Sequence, residues 1–409
     1  MTQDREQLLG AYARLVVRVG ANVQLGQRVV IRCVVEHAEV ARAVAAEAYR
    51  VGASHVSIQY DDPHVQRAAV EHAPNEALGR SLAHELEAVR SWQTDRVALI
   101  ALTGNPSPAL MEGLDPSRLA KSQPIERIWE TLGILSGNEV AWTVAGAPNP
   151  GWAQSIFGTP DLERLWQAVA VAMRLDEADP VRSWQEHLAV LALRRDLLNE
   201  RRFDRIRFRG PGTDLTVGLS PRSVWVSGAL TTADGTPFVP NMPTEEVFTS
   251  PDWRRADGTV RTTAPFYLAA MNALIEGLEL ELADGAIRQA HAGRGEAAVH
   301  AQLDNVPRSR HLGEVALVDG ESRVRRTGLV FNDMLYDENA GCHVAWGAGF
   351  PVAFDGALPL DPEARVEAGL NQAGTHVDIV VGSPAVEVDG LDAAGMATPI
   401  IRGDEFSLT

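Results

Sequence analysis

Leu198-Asn199-Glu200-Arg201-Arg202-Phe203-Asp204-Arg205-Ile206-Arg207-Phe208 is the stretch at which the chain changes its period. On its N-terminal side, Trp184, Leu188, Leu191 and Leu198 recur at helical spacing and predict a long helix from Val181 to Arg202. From Asp204 onward apolar and polar residues alternate, the two-residue period of a half-buried strand. A helix that ends where a strand begins is a natural seam, and the two sides of it read differently.

Before the seam, helical and strand periods take turns. Leu8, Leu9, Tyr12, Leu15, Val16 and Val19 repeat at helical spacing, and Gly20 supplies a stop. Val29 to Val35 is a β-branched run, His37 to Tyr49 an alanine-rich helix, His55 to Tyr60 an alternating strand, and Val97 to Leu102 a short buried-strand run. A further helix is expected from Asp161 to Arg174. Strands separated by helices of this size predict an α/β domain with a partly parallel sheet over residues 1–202. After the seam come short alternating runs: Asp204 to Phe208, Asp214 to Leu219, Ser223 to Val226, Thr259 to Thr263, Leu278 to Leu282, Glu314 to Val318 and His376 to Val381. Asp-Gly pairs at 234–235, 257–258 and 284–285 are hairpin-type turn signals. Residues 203–409 are therefore expected to form a mainly antiparallel β domain, giving an α+β protein overall.

Composition removes several function classes. The 409 residues are 45% hydrophobic and 22% charged, enough apolar material for real cores. With 54 acidic against 37 basic residues the net charge is −17, a surface that a phosphate backbone repels, so no nucleic-acid partner is expected. No run approaches the roughly 18 apolar residues of a membrane span. Met1-Thr2-Gln3-Asp4-Arg5 leads into an amphipathic pattern without a signal-peptide core, so a cytoplasmic location is expected. Cys33 and Cys342 alone cannot build a disulfide framework or a cysteine metal ribbon. Lys121 is the only lysine among 37 basic residues, and its context suits neither a phosphate loop nor a Schiff base.

Chemistry concentrates after the seam. Asn241-Met242-Pro243-Thr244-Glu245-Glu246-Val247-Phe248-Thr249-Ser250-Pro251 places adjacent glutamates in a strand-like segment. One should face inward and need a cation or a proton; the plainer reading is an edge strand with both acids partly solvated. Tyr336-Asp337-Glu338-Asn339-Ala340-Gly341-Cys342-His343 offers ligands suited to Zn²⁺, Co²⁺, Mn²⁺ or Mg²⁺, or else a surface turn with a solvated acid pair. His376-Val377-Asp378 puts imidazole and carboxylate on one strand face, a short pattern that chance also produces. Glu314 is a lone acid in the apolar run Leu312-Gly313-Glu314-Val315-Ala316-Leu317-Val318, and a salt bridge would explain it equally well. As a set, glutamates, histidines and an aspartate without cysteine are what a hydrolytic two-metal site uses. The other histidines, His187 among them, lack such company and read as structural or surface residues.

These four motifs, in this order, resemble the thermophilic aminopeptidase family of metallopeptidases, the group of aminopeptidases T, S and II. Weaker similarity at Pro148-Asn149-Pro150-Gly151-Trp152-Ala153 and from Gly210 to Gly218 extends the likeness along essentially the whole chain. The resemblance implies a metal-dependent exopeptidase that cuts the first residue from short peptides through a metal-activated water. It further implies a homodimer whose sites face an enclosed cavity. Two divalent ions would be held by Glu246, Glu314, Glu338, His343, His376 and Asp378, with Glu314 bridging both. Glu245 would stand behind the ligands or act as general base. One position departs: seven residues after the motif histidine the family usually has tyrosine, and here stands Phe350. A phenol there could donate to a developing oxyanion, and loss of one such donor can cost about 10²–10³ in turnover. Two other readings stay open: a metal-dependent hydrolase of a different amide, and a catalytically weak binding or assembly protein.

Overall fold

The protein is described from a computed structural model, which covers residues 4–271, 273–356, 358 and 361–409. It is an α+β chain that divides into two compact units, one of residues 1–185 with 229–242 and one of residues 186–228 with 243–409. The 229–242 segment thus returns to the first unit after the seam, bringing the Asp234-Gly235 pair with it.

The first unit is built on a sheet in the order Asn241–Met242, Ala141–Gly146, Ala98–Thr103, Arg28–Val34, His55–Asp61, and every pairing in it is parallel. Parallel strands covered on both faces read as unbroken apolar runs, and Val29, Val30, Ile31, Ala98 and Ile100 are all fully buried. His55–Asp61, at the edge, is mostly exposed or half-buried, which is why it alternates. The helix Arg5–Leu15 runs on into a π turn, Val16–Gly20. Gly20 is required there, because a Cβ would come within 2.8 Å of Met242 Sδ and Thr143 Oγ1. After Ala141–Gly146, Asn149 caps the helix Pro150–Phe157, its Oδ1 accepting from Trp152 N at 2.9 Å.

The second unit contains two large antiparallel sheets together with a two-stranded one, Phe266–Leu268 with Ala273–Ile275. The larger has eight strands in the order Ala286–His291, Glu279–Ala283, Ala256–Arg261, Thr213–Gly218, Arg205–Gly210, Glu387–Leu391, Ala397–Arg402, Glu405–Phe406. The smaller has five: His376–Val380, His343–Gly347, Leu312–Leu317, Val247–Thr249 and Val226–Ser227. Phe208, Leu215, Val217, Val260, Val315, Val344, Trp346, Ile379 and Val388 share one core, to which the helix Pro180–Arg201 adds Leu191 and Leu198.

Two of the turn signals behave differently from each other. Asp284-Gly285 makes the expected tight turn, both residues at positive φ (52° and 77°) between Glu279–Ala283 and Ala286–His291. Asp257-Gly258 instead lies inside the strand Ala256–Arg261. There glycine serves a close approach, since a Cβ would fall 2.0 Å from the Asp214 carbonyl oxygen, and Asp257 Oδ1 accepts from Asp284 N to hold the neighbouring turn.

Candidate metal centre

The five-stranded sheet explains how distant residues meet. Residues opposite one another in an antiparallel pair point to the same face, as do residues two apart along a strand. Glu314, Ala345 and Asp378 form one such row, and Phe248, Ala316 and His343 the next. His376, opposite Gly347, lies two residues before Asp378, and Glu246 lies two before Phe248. All the acids and histidines of these rows therefore share a face, and the small side chains of Ala316 and Ala345 leave room between them.

Two groups result, each with its ligand atoms within 4.8 Å: Glu246, Glu314 and His343, and Glu314, His376 and Asp378. Glu314 belongs to both. His343 Nε2 is 3.0 Å from Glu246 Oε2, 3.7 Å from Glu314 Oε1 and 4.0 Å from Asp378 Oδ1. His376 Nε2 is 3.3 Å from Glu314 Oε2 and 3.2 Å from Asp378 Oδ1. The other ring nitrogens face carbonyls: His343 Nδ1 lies 3.1 Å from Gly341 O and His376 Nδ1 2.8 Å from Ala348 O. With a carbonyl as partner Nδ1 must donate, which fixes the tautomer and turns Nε2 toward the carboxylates, the arrangement that metal-binding imidazoles use. Gly313 makes this possible. It sits at a register irregularity between Leu312 and Glu314, where a Cβ would meet Ala348 O at 2.2 Å.

Glu338, on the one-turn helix Glu338–Ala340, stands beside these groups without supplying an atom to either; its Oε1 lies 3.4 Å from Asn339 Nδ2. Glu245 points elsewhere. Its Oε1 accepts from Arg323 N at 3.2 Å and its Oε2 is 3.5 Å from His187 Nε2. Both members of the Glu245–Glu246 pair are buried, so neither is the solvated partner that strand alternation suggests. The segment runs ahead of the strand Val247–Thr249, and the carboxylates find separate buried partners. His187, which donates to Thr244 O at 2.9 Å, and Asn339, whose Oδ1 accepts from Glu245 N at 2.7 Å, complete this support. Nothing in the sequence links His187 to Glu245 across 58 positions, whereas Asn339 stands inside a motif already singled out.

The electrostatics call for compensating positive charge, from protons or from a bound cation. Glu246, Glu314, His343 and Asp378 are each 6% exposed or less, and ionised carboxylates are not buried without compensation. Burial pushes the Glu246 carboxyl up against the opposing pull of His343. Burial and the charges of Asp378 and Glu246 hold Glu338 well above the usual carboxylate range. Burial alone would depress both imidazoles, yet Glu246 and Glu314 hold His343, and Asp378 and Glu314 hold His376, well above their ordinary value. Asp378 is resisted by burial but drawn down by the charge of His376. Glu246 Oε2, though buried and close to His343 Nε2, lacks a well-aligned hydrogen bond among the described residues. Four carboxylates and two imidazoles together are a donor set that a hard or borderline divalent cation fits.

A buried carboxylate–imidazole face of this kind has the donor set of a metal-dependent hydrolase, here on an α+β scaffold. The chain belongs to the thermophilic metalloprotease (M29) family, which it matches over residues 5–406. It is 38% identical to aminopeptidase T of Thermus aquaticus, over 96% of this chain and 97% of that one. It is 35% identical to aminopeptidase PepS of Streptococcus thermophilus, over 97% of each. Among solved structures, wild-type AmpT from Thermus thermophilus superposes with a TM-score of 0.90 at 34% identity, covering 98% of this chain and all of that one.

Proposed function

We propose that the protein is a metal-dependent aminopeptidase that removes the first residue from short peptides with a free N-terminus. The observation that carries this reading is Glu314, mid-strand and buried, shared by two groups of ligand atoms on one sheet face. Glu246, Glu314, Glu338, His343, His376 and Asp378 would hold two divalent cations, Zn²⁺, Co²⁺, Mn²⁺ or Mg²⁺. Bound there, such cations polarise a peptide carbonyl and lower the pKa of water. The chain's own part is positioning. Ala348 O and Gly341 O fix the two imidazoles, and Ala316 and Ala345 keep the space between the ligands clear. Glu245, held through Arg323 N and beside His187, would support the segment that carries Glu246; to act as general base its carboxylate would have to leave these partners and turn toward the ligand atoms. The catalytic centre lies in the part of the chain after residue 202. A homodimer with an enclosed cavity and a cytoplasmic location complete the proposal.

The test is metal analysis of purified protein joined to a peptide panel. Release of leucine from unblocked dipeptides and none from N-acetylated ones supports the reading. Cleavage of the blocked peptides instead would point to another amide. Inertness with all four metals would favour a binding or assembly role, for which the aromatic, hydroxyl-free Phe350 beside His376 is the motive.

A further inference from the structure

Phe350 stands against the metal centre and is 37% exposed, whereas Glu246, Glu314, His343 and Asp378 are buried. Its ring centroid lies 4.7 Å from the His376 ring, tilted by 51°, and 5.7 Å from the Phe248 ring in a T-shaped contact at 73°. Phe248 shares the ligand face, two residues on from Glu246 and opposite Ala316. The backbone beneath Phe350 is held firmly. Its N–H donates to Ser250 Oγ at 2.8 Å, Gly349 N donates to Asn371 O at 2.9 Å, and Pro351 follows. The two rings thus form a fixed apolar wall at the edge of a charged site, part of it bare.

We infer that Phe350, backed by Phe248, is the wall of the subsite for the first residue's side chain, and that it selects peptides beginning with an apolar residue. The inference rests on the aminopeptidase reading. In such a substrate the side chain nearest the scissile carbonyl belongs to the first residue, whose Cα is one bond away; the Cα of the second residue is two bonds away. A carbonyl presented to the His376 side of the site therefore brings that first side chain toward the ring packed on His376. The wall has no donor or acceptor. An aliphatic side chain there loses water at no polar cost, while a hydroxyl or charged head is desolvated without a partner. Apolar pockets of this kind discriminate by roughly 10–200-fold per methylene-sized difference.

The experiment compares kcat/KM for X-Ala-Ala with X leucine, norleucine, serine, lysine or glutamate, in metal-loaded wild type and in Phe350→Ala, Phe350→Leu and Phe350→Tyr. Wild type should favour leucine over serine, and norleucine over its near-isostere lysine, by about tenfold or more. Phe350→Ala should collapse both ratios through KM for the apolar peptides. Phe350→Leu should give intermediate ratios, and Phe350→Tyr, which puts a hydroxyl on the wall, should narrow the leucine-to-serine ratio while staying active, showing a folded site. Ratios unchanged in Phe350→Ala, or lysine favoured over norleucine, would overturn the inference while leaving the aminopeptidase reading intact. If no peptide is cleaved at all, that reading fails instead. Calorimetric binding of L-norleucine against L-serine to wild type and Phe350→Ala then decides the wall: a preference for norleucine that Phe350→Ala removes supports it, and equal binding refutes it.

Discussion

Each unit buries a histidine, and the two are handled in opposite ways. In the first unit His37 follows the strand Arg28–Val34; its Nε2 lies 2.9 Å from Gly104 O, and Asn149 Nδ2 donates to the same carbonyl at 2.9 Å. Burial dominates, and the imidazole is pushed below its ordinary value. In the second unit His343, equally buried, is held well above it because carboxylates surround it. Burial is common to both residues; what differs is the charge of the neighbours. His37 and Asn149 make a neutral junction whose role is to hold strand ends and a helix start together, while His343 belongs to a cluster of buried acids whose charge must be offset by protons or a cation. Substitutions in the two regions should accordingly separate stability from chemistry.

The largest effect is expected at Glu314. Glu314→Gln keeps the shape of the side chain but removes the charge shared by both ligand groups. Metal-loaded kcat/KM should fall by about 10³ or more, since a catalytic cation supplies several kcal/mol and each 1.36 kcal/mol is tenfold. Melting without added metal should also fall, because His343 and His376 lose a buried carboxylate partner. A lower melting point with activity retained would make Glu314 a structural acid and erase the contrast with the first unit.

Next in size is Phe350→Tyr. A phenol on that ring brings a donor to the metal site, and kcat should rise by up to about 10² while the preference for apolar first residues narrows, the wall now carrying a hydroxyl. An unaltered kcat would mean that the hydroxyl does not reach the reacting carbonyl.

Asn149→Ala should lower stability without the loss of chemistry expected at Glu314. Its side chain caps the helix Pro150–Phe157 and donates to Gly104 O, so stability should fall by about 1–2 kcal/mol in denaturant unfolding. Peptidase kinetics should stay within about twofold, because Asn149 touches none of the ligand groups.

How much of this could be read from the residues alone follows from what each reading required. The parallel sheet was legible because strands covered on both faces are unbroken apolar runs, as at Val29–Ile31. Glu314 was legible as an anomaly, an acid where every neighbour is apolar. His376 and Asp378 were legible through the two-residue period. Their assembly was not, because it depends on strand order: Leu312–Leu317 lies between Val247–Thr249 and His343–Gly347, and no local pattern states that. Asp257-Gly258 misled because glycine serves turns and close approaches alike, and only the partner strand tells them apart. His187 escaped because its role is to meet Glu245 through space rather than in sequence.

The smallest effect, and the most direct check on the contrast between the two histidines, is in pH. For a group depressed in the folded state, stability is present above its unfolded value and is lost as pH falls through the folded one. Below about 6.5 an unfolded chain protonates His37 readily, while the folded chain, through burial, resists despite Gly104 O and the nearby charge of Glu36. The unfolded state then binds more protons, and stability must fall as pH falls, by at most about 1.4 kcal/mol per pH unit from this residue. His37→Gln keeps a donor for Gly104 O but cannot titrate. It should therefore flatten the loss of stability as pH falls below about 6.5, in unfolding followed at several pH values. Should wild type and variant lose stability in parallel, His37 is not the group that resists the proton, and the neutral junction would have to be sought in other residues of the first unit.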